Sequence, residues 1–255
     1  MNTYTWATFS LALGLLALGL VWVWQWLLRR RKKVLTEIRP ILAFQNLQDE
    51  MKRAVENGKT IHIALGSGGL GSEATITTLA SLQVVEALVD IAATYDVSPI
   101  ITVGDPTLLP LVQDTLRRAY ERRDLAELYE SSMVRFVAPS PVAYAAGSAT
   151  VLATEDVTAN ILVGYFGPEA SLITGAGSKL GLPQFAAADT PTAVGALYPT
   201  TRRLAMGEEL YAAGAQMTEE RRYRVSLAAQ DLLRLIVVGA IVAMAVLTFL
   251  RSLGI

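Results

Sequence analysis

Three glycines, Gly66, Gly68 and Gly71, have the spacing G-x-G-x-x-G within the stretch HIALGSGGLGSEAT at 62–75. In a dinucleotide-binding unit the first glycine permits a tight turn and the second lets the backbone approach a pyrophosphate. The third allows close packing of a helix on a strand. Ser67 lies between the first two glycines. Gly66, Ser67, Gly68 and Gly71 are therefore candidate ligand-binding residues.

Two interpretations of this glycine loop stay open. A loop that follows a strand and begins a helix can bind an anion through its backbone amides. Glu73 opposes this interpretation, because a carboxylate there already complements the helix dipole and repels phosphate. A ribose-binding acid is expected about 20 residues after the motif, whereas Asp105 lies 34 residues beyond Gly71. The residues favour a strand–turn–helix junction over a dinucleotide site.

Three carboxylates, Asp105, Glu169 and Asp189, follow predicted strands, at the edge where parallel sheets bind ligands. They could hold Mg²⁺ or Ca²⁺, or recognise hydroxyl groups or an amine. They could equally cap helices and shape turns, as Asp before Pro or Thr commonly does. We expect turn and capping roles. A nucleotide and Mg²⁺ are the cofactors considered, neither is favoured, and no metal ligand is assigned.

The composition excludes several catalytic classes. The chain has no cysteine and one histidine, His62, which excludes thiol chemistry, disulfides and cysteine-ligated metals. His62 lies early in the run TIHIAL, away from the ligand edge, which indicates a structural role. The motifs G-x-S-x-G, G-x-x-x-x-G-K-[ST] and H-E-x-x-H are absent. We assign no catalytic residue and lean against an enzyme; a net charge of −1 gives no support to nucleic-acid binding.

Short β-rich runs alternate with helical segments through the middle of the chain. Strands that are apolar throughout are typical of a parallel sheet covered on both faces. The pattern predicts an α/β fold over 34–230, a Rossmann-like three-layer domain with a mainly parallel five-stranded sheet. The predicted strands are 60–65, 99–104, 133–138, 160–166 and 183–188, and the helices between them are 72–95, 107–130, 141–156 and 168–180.

Two helical segments carry few charges. Residues 74–93 contain only Glu86 and Asp90 as charged side chains, and residues 141–153 contain none. An outer helix of a three-layer fold should present one polar stripe. The weak polar stripe is explained by deep burial or by packing against a second subunit, the membrane surface or the N-terminal helix, and we prefer subunit contact. Residues 200–217 are predicted to form one further helix.

The composition also indicates a membrane protein, because 52% of the residues are hydrophobic and 18% are charged. Residues 6–28 carry no charge and would reach about 34 Å as a helix, enough to cross a hydrocarbon core of about 30 Å. A second transmembrane helix is predicted at 232–250, for which a buried core helix is the alternative. Basic side chains flank both predicted spans on the side of the central domain: Arg29, Arg30, Arg31, Lys32, Lys33 and Arg234.

This charge distribution predicts an orientation. Lys and Arg concentrate on the cytoplasmic side of membrane spans. We therefore expect a protein of the cell's inner (cytoplasmic) membrane. Its central domain is expected to be cytoplasmic and both of its termini to lie outside.

Four short sequence segments occur in a distinctive order up to the start of the second predicted span: AYAAG (143–147), ILVGYFGPE (161–169), GEELYAAGA (207–215) and SLAAQDLLR (226–234). In these segments the chain resembles a prokaryotic two-span membrane-protein family known only as a domain of unknown function. The resemblance covers most of residues 60–250. It implies a membrane-anchored α/β domain without an established activity, and it supplies no catalytic residues.

We therefore expect a structural or regulatory subunit of a membrane assembly, whose domain self-associates or docks a partner. Its expected partners are the lipid bilayer and a second copy of the chain or another membrane-complex subunit. The alternative is a membrane enzyme or sensor that binds a nucleotide or nucleotide-sugar on the loop from Gly66 to Gly71. A transport accessory is a third hypothesis, which would need a ring of subunits or a partner.

Overall fold

The structure is a computed structural model that describes residues 41–44, 47–201, 203–217, 229–241 and 244. The chain divides into two compact units, Arg39–Thr218 and a unit formed by Met1–Ile38 together with Glu219–Ile255. The predicted span 6–28 and the basic residues Arg29 to Lys33 lie outside the described residues.

The unit Arg39–Thr218 is built on one six-stranded sheet, with the strand order β3-β2-β1-β4-β5-β6. All of its strand pairings are parallel. The inner strands are buried on both faces, which explains why they are apolar throughout. The strands are β1 (Thr60–Gly66), β2 (Ile100–Val103), β3 (Val134–Phe136), β4 (Val157–Tyr165), β5 (Gln184–Ala188) and β6 (Arg203–Met206).

Helices cover both faces of this sheet, so the α/β, three-layer architecture is confirmed. One apolar cluster joins α1, α2, α3 and α7 to one face, and a second joins α4, α5 and α6 to the other. Side chains alternate between the faces along each strand, so Ile63 enters the first cluster and Ala64 the second. The helices are α1 (Leu47–Glu56), α2 (Thr75–Thr94), α3 (Leu109–Arg122), α4 (Pro141–Thr154), α5 (Ala170–Lys179), α6 (Pro191–Leu197) and α7 (Glu208–Met217).

The predicted number of five strands is wrong, because residues 200–217 do not form a single helix. They contain strand β6 and helix α7 with Gly207 between them. Gly207 has a φ of +54°, a left-handed conformation that glycine adopts readily and that breaks the helix expected there. Strand β6 is a short edge strand with side chains that are mostly half-buried or exposed. It therefore lacks the continuous apolar run by which the inner strands are recognised.

The nearly uncharged segment 74–93 is largely explained by burial. Among the described residues, α2 is the one helix long and apolar enough to cross a membrane, and 67% of its apolar window is buried. It packs over the sheet between α3 and α7. Contact with a second subunit stays a prediction. The apolar side chains of this helix that are exposed for such a contact are Ile76 and Leu79.

In the other unit, the described residues 229–241 and 244 are helical. They include part of the predicted span 232–250. Leu235, Val238 and Met244 expose 72%, 58% and 67% of their surface. Arg234 Nη1 lies 3.8 Å from Asp231 Oδ1. Membrane insertion of this segment stays a prediction.

Candidate functional site at the carboxyl edge of the sheet

The glycine loop lies at the point where the strand order reverses. The chain passes from β1 to β2 and β3 on one side of the sheet, and then crosses to β4 on the other side of β1. In open parallel sheets, ligands bind at the carboxyl ends of the strands at such a switch point. The topology therefore favours a ligand site at the loop 67–74 and the segment 166–169.

Gly66 makes a turn that requires glycine. Its φ is +82°, and a Cβ atom there would overlap the carbonyl oxygen of Tyr165. The Gly66 amide donates to the Tyr144 hydroxyl at 3.1 Å, and the Ser67 amide donates to the Tyr165 carbonyl at 3.0 Å. The first glycine of the motif thus permits the tight turn that its position predicts.

Gly68 is buried and serves packing. A Cβ atom there would lie 2.8 Å from the Cβ atoms of Ala74 and Tyr165, and 2.9 Å from Thr78 Oγ1. The space beside this second glycine, which in a dinucleotide site lets the backbone approach a pyrophosphate, is therefore occupied here on its Cβ side by the chain's own side chains. The buried backbone lets α2 and the end of β4 meet across the loop.

Hydroxyl groups of the surrounding residues accept hydrogen bonds from the loop amides. The Leu70 amide donates to Thr107 Oγ1 at 3.1 Å, and the Gly71 amide donates to Thr75 Oγ1 at 2.9 Å. The Ala74 amide donates to Ser72 Oγ at 3.2 Å. These three amides are already engaged, so they do not form a cradle for an anion.

Asp105 follows β2 and bonds to Thr107, whose hydroxyl oxygen accepts from the Leu70 amide of the glycine loop. Its Oδ1 accepts from the Thr107 amide at 2.8 Å and from the Thr107 hydroxyl. Its carboxylate fills the space that a side chain at Gly69 would need. The structure therefore brings Asp105 beside the glycine loop, where it acts as a cap and a packing group.

Glu169 and Asp189 also accept hydrogen bonds from groups of the same domain. Glu169 Oε1 accepts from the Gly167 amide at 2.8 Å, between β4 and α5. Asp189 Oδ2 accepts from the Thr77 hydroxyl and from the Tyr211 hydroxyl, the latter at 3.3 Å, which ties the end of β5 to α2 and α7. The other oxygen of Asp189 is buried without a hydrogen bond.

Tyr165 stands among these acids. Its hydroxyl donates to the Glu73 carboxylate at 2.9 Å, and this bond is the largest cause of its raised pKa, followed by burial and by nearby negative charge. Asp189 and Glu169 contribute to that charge. In the described part of the chain, no three His, Asp or Glu side chains are grouped so as to hold a metal ion. Asp105, Glu169 and Asp189 are therefore separate local anchors at one acidic edge.

A second polar feature, a buried ladder of hydrogen bonds, lies deeper in the sheet. His62, Asn160 and Gln184 are register partners on β1, β4 and β5. His62 Nδ1 lies 2.8 Å from Asn160 Oδ1, and Asn160 Nδ2 donates to Gln184 Oε1 at 3.1 Å. Polar residues inside apolar strands were the sequence signal for this ladder, but the strand register was needed to connect them.

Burial keeps His62 neutral, and the ladder selects its tautomer. Burial lowers the pKa of His62 to about 4, although the Asn160 hydrogen bond opposes that shift. His62 Nε2 lies 3.0 Å from Thr102 Oγ1, and Ser148 donates to the same oxygen at 3.3 Å. The hydrogen-bond pattern assigns a neutral ring that donates from Nδ1 and accepts at Nε2. Such a ring stabilises the sheet and lies away from the carboxyl edge.

These features define a Rossmann-like α/β domain whose carboxyl edge is closed by its own side chains. The chain belongs to the family described as "Domain of unknown function (DUF6754)", which matches residues 1–254. The resemblance to a family of unknown function is thereby confirmed, whereas prokaryotic origin and two membrane spans stay predictions. No curated protein and no solved structure matches the chain.

Proposed function

We propose that this protein is a structural or regulatory subunit of a membrane assembly, and that its domain self-associates through the carboxyl edge of the sheet. The observation that carries the proposal is a set of exposed apolar side chains at an edge where Asp105, Glu169 and three amides of the glycine loop are engaged within the chain. Contiguous exposed apolar surface is typical of protein interaction sites, and Ile76 and Leu79, three residues apart on one helix, supply it here.

The exposed group begins on α2. Residues 76, 79, 83, 86 and 90 form the outward stripe of this helix. The stripe is acidic at Glu86 and Asp90, but apolar at Ile76 and Leu79, which are 70% and 47% exposed. Helices that follow parallel strands begin at the carboxyl edge, so the apolar end of the stripe lies beside the glycine loop.

Other exposed apolar residues lie in the loops, strand ends and first helical turns of the same edge. We use the name carboxyl-edge patch for seven residues that the sheet distributes along this edge, from β3 to β6 and on both faces, each at least 39% exposed: Leu70, Ile76, Leu79, Phe136, Val142, Leu172 and Met206. A second copy is the preferred occupant, because a closed, symmetric assembly would bury the same patch on each subunit.

The membrane part of the proposal rests on the exposed apolar helix 229–241 and on the uncharged segment 6–28. We place the domain on the cytoplasmic face of the inner membrane, with both termini outside, because basic residues flank both proposed spans on that side.

The chain offers a clean test because it contains no cysteine. We expect Ile76→Cys, in cell membranes washed with alkaline carbonate, to form a cross-linked dimer with a short bismaleimide. Tyr198→Cys is the matched control, because Tyr198 is 76% exposed but lies at the end of α6. Equal cross-linking at both positions would contradict contact through the carboxyl edge, and cross-linking at neither would contradict self-association through Ile76. Release of the chain by carbonate would contradict membrane insertion.

A nucleotide-binding enzyme or sensor is the second candidate, and one observation favours it: the glycine loop lies at the switch point of the sheet. The burial of Gly68 and the engagement of Asp105 oppose it. A rise in the melting temperature of the full chain with ATP or NAD, with or without Mg²⁺, would support this candidate over the scaffold.

A further inference from the structure

A cavity of about 460 Å³ lies at the amino edge of the sheet, opposite the glycine loop. Its volume falls within the range of about 300–1,000 Å³ that is common for small-molecule sites. It forms where β5 and β6 begin, beside the middle of α1 and the end of α5. Its polar lining includes Glu50, Arg53, Ser178, Gln184, Thr200 and Arg203.

Arg203 is the key cation of this cavity. Its guanidinium carbon lies 4.8 Å from the centre of the Phe185 ring, a cation–π contact that orients the group. Arg203 forms no ion pair with any residue of the described chain. A positioned guanidinium without a protein carboxylate can bind an anion with its planar set of donors.

The other polar side chains of the wall are hydrogen-bonded within the protein, so Arg203 is the group left for an anion. Glu50 is only 4% exposed, and Arg53 Nη1 donates to its two carboxylate oxygens at 3.1 and 3.3 Å. Gln184 Nε2 donates to Ser178 Oγ at 3.0 Å and to the Thr200 carbonyl at 3.2 Å. Glu50 and Arg53 neutralise each other. The cavity wall therefore carries one net positive charge, that of Arg203.

We infer that this cavity binds a small molecule carrying an oxyanion, either a phosphate or a carboxylate, with Arg203 as the anchor. An arginine fork binds both oxyanions in a bidentate manner. Glu50 lies in the same wall and can accept from hydroxyl or amino groups of the ligand. The cavity is separate from the carboxyl-edge patch, so this binding site goes beyond the proposed self-association and does not depend on it.

The test uses thermal unfolding of the full chain in mild detergent, with inorganic phosphate or acetate as the probe and chloride at equal ionic strength as the reference. We expect one of the two oxyanions to raise the melting temperature by about 3–6 °C at ten times its dissociation constant. Arg203→Gln should abolish this rise. Arg118→Gln should keep it, because Arg118 pairs with Asp114 on the exposed face of α3.

The two probes separate the sources of the oxyanion: a response to phosphate indicates a phosphorylated ligand, and a response to acetate indicates a carboxylate. An equal rise in the melting temperature of wild type, Arg203→Gln and Arg118→Gln would overturn the assignment, and so would no rise with either probe. If Arg203→Gln does not fold, protection of Arg203 from phenylglyoxal in the wild-type chain decides the question. Protection by the stabilising anion at Arg203 but not at Arg118 supports the site, and equal modification with and without the anion overturns it.

Discussion

The one histidine of the chain illustrates how a single residue is constrained by its neighbours. His62 is completely buried between Asn160 and Thr102, and its pKa is lowered to about 4 mainly by burial. In the unfolded chain the same ring takes up a proton near the ordinary histidine pKa of 6.5. The unfolded state therefore binds more protons than the folded state between pH 6.5 and 4, so stability falls as the pH falls.

We expect the free energy of unfolding to decrease by about 2 kcal/mol between pH 7 and pH 5 because of His62. His62→Gln removes the titrating ring and should remove this part of the pH dependence, although it also lowers stability by disturbing the ladder. Denaturant unfolding of both proteins at several pH values measures the difference. Parallel pH profiles for wild type and variant would show that the folded ring titrates normally.

At the same residue scale, the sequence predicted the local character of the acids but not their partners. Asp before Pro at 105 indicated a turn, and the structure has Asp105 capping the short helix Pro106–Leu108. The hydrogen bonds of Tyr165 and Tyr144 could not be predicted, because their partners are distant in the sequence, by 92 and 78 positions respectively. Only the order and register of the strands bring those pairs together.

At the scale of elements, the glycine loop is a packed junction between β1 and α2. We expect Gly68→Ala to destabilise the protein by about 1–3 kcal/mol, because the added methyl group would overpack a closed site. Gly175→Ala is the control: Gly175 lies within α5 with nothing within 4 Å of an added Cβ. That substitution should stabilise the protein by about 0.5–1 kcal/mol.

Thermal or denaturant unfolding of these two variants separates packing from ligand binding. A loop that leaves room for a phosphate above Gly68 would accept alanine with little loss of stability. Unchanged stability in Gly68→Ala would therefore contradict the packed junction and revive the nucleotide site.

The elements also show where sequence periodicity is informative. Inner strands such as β1 and β4 are buried on both faces and read as continuous apolar runs, so they could be predicted. Strand β6 could not, because only one of its four residues, Ala205, is buried. The order of the strands was also beyond prediction, since it depends on long-range pairing between segments such as 60–66 and 157–165.

At the scale of the whole molecule, the domain has two edges of different character. The carboxyl edge holds Glu73, Asp105, Glu169 and Asp189 within the carboxyl-edge patch of exposed apolar side chains. The amino edge holds the cavity with Arg203. Exposed apolar side chains at the first edge suit protein contact, whereas a cavity with an unpaired guanidinium at the second suits a small anion.

The central claim is that subunits meet through this patch, and the most direct measurement is the mass of the full-chain assembly by light scattering in mild detergent. Ile76→Gln/Leu79→Gln removes apolar surface from the patch, whereas Val55→Gln/Tyr198→Gln removes residues of similar exposure away from it. We predict that wild type and the second double variant form the same oligomer, and that the first dissociates to single chains. An oligomer that persists in Ile76→Gln/Leu79→Gln, or a wild-type chain that is monomeric, would contradict the claim.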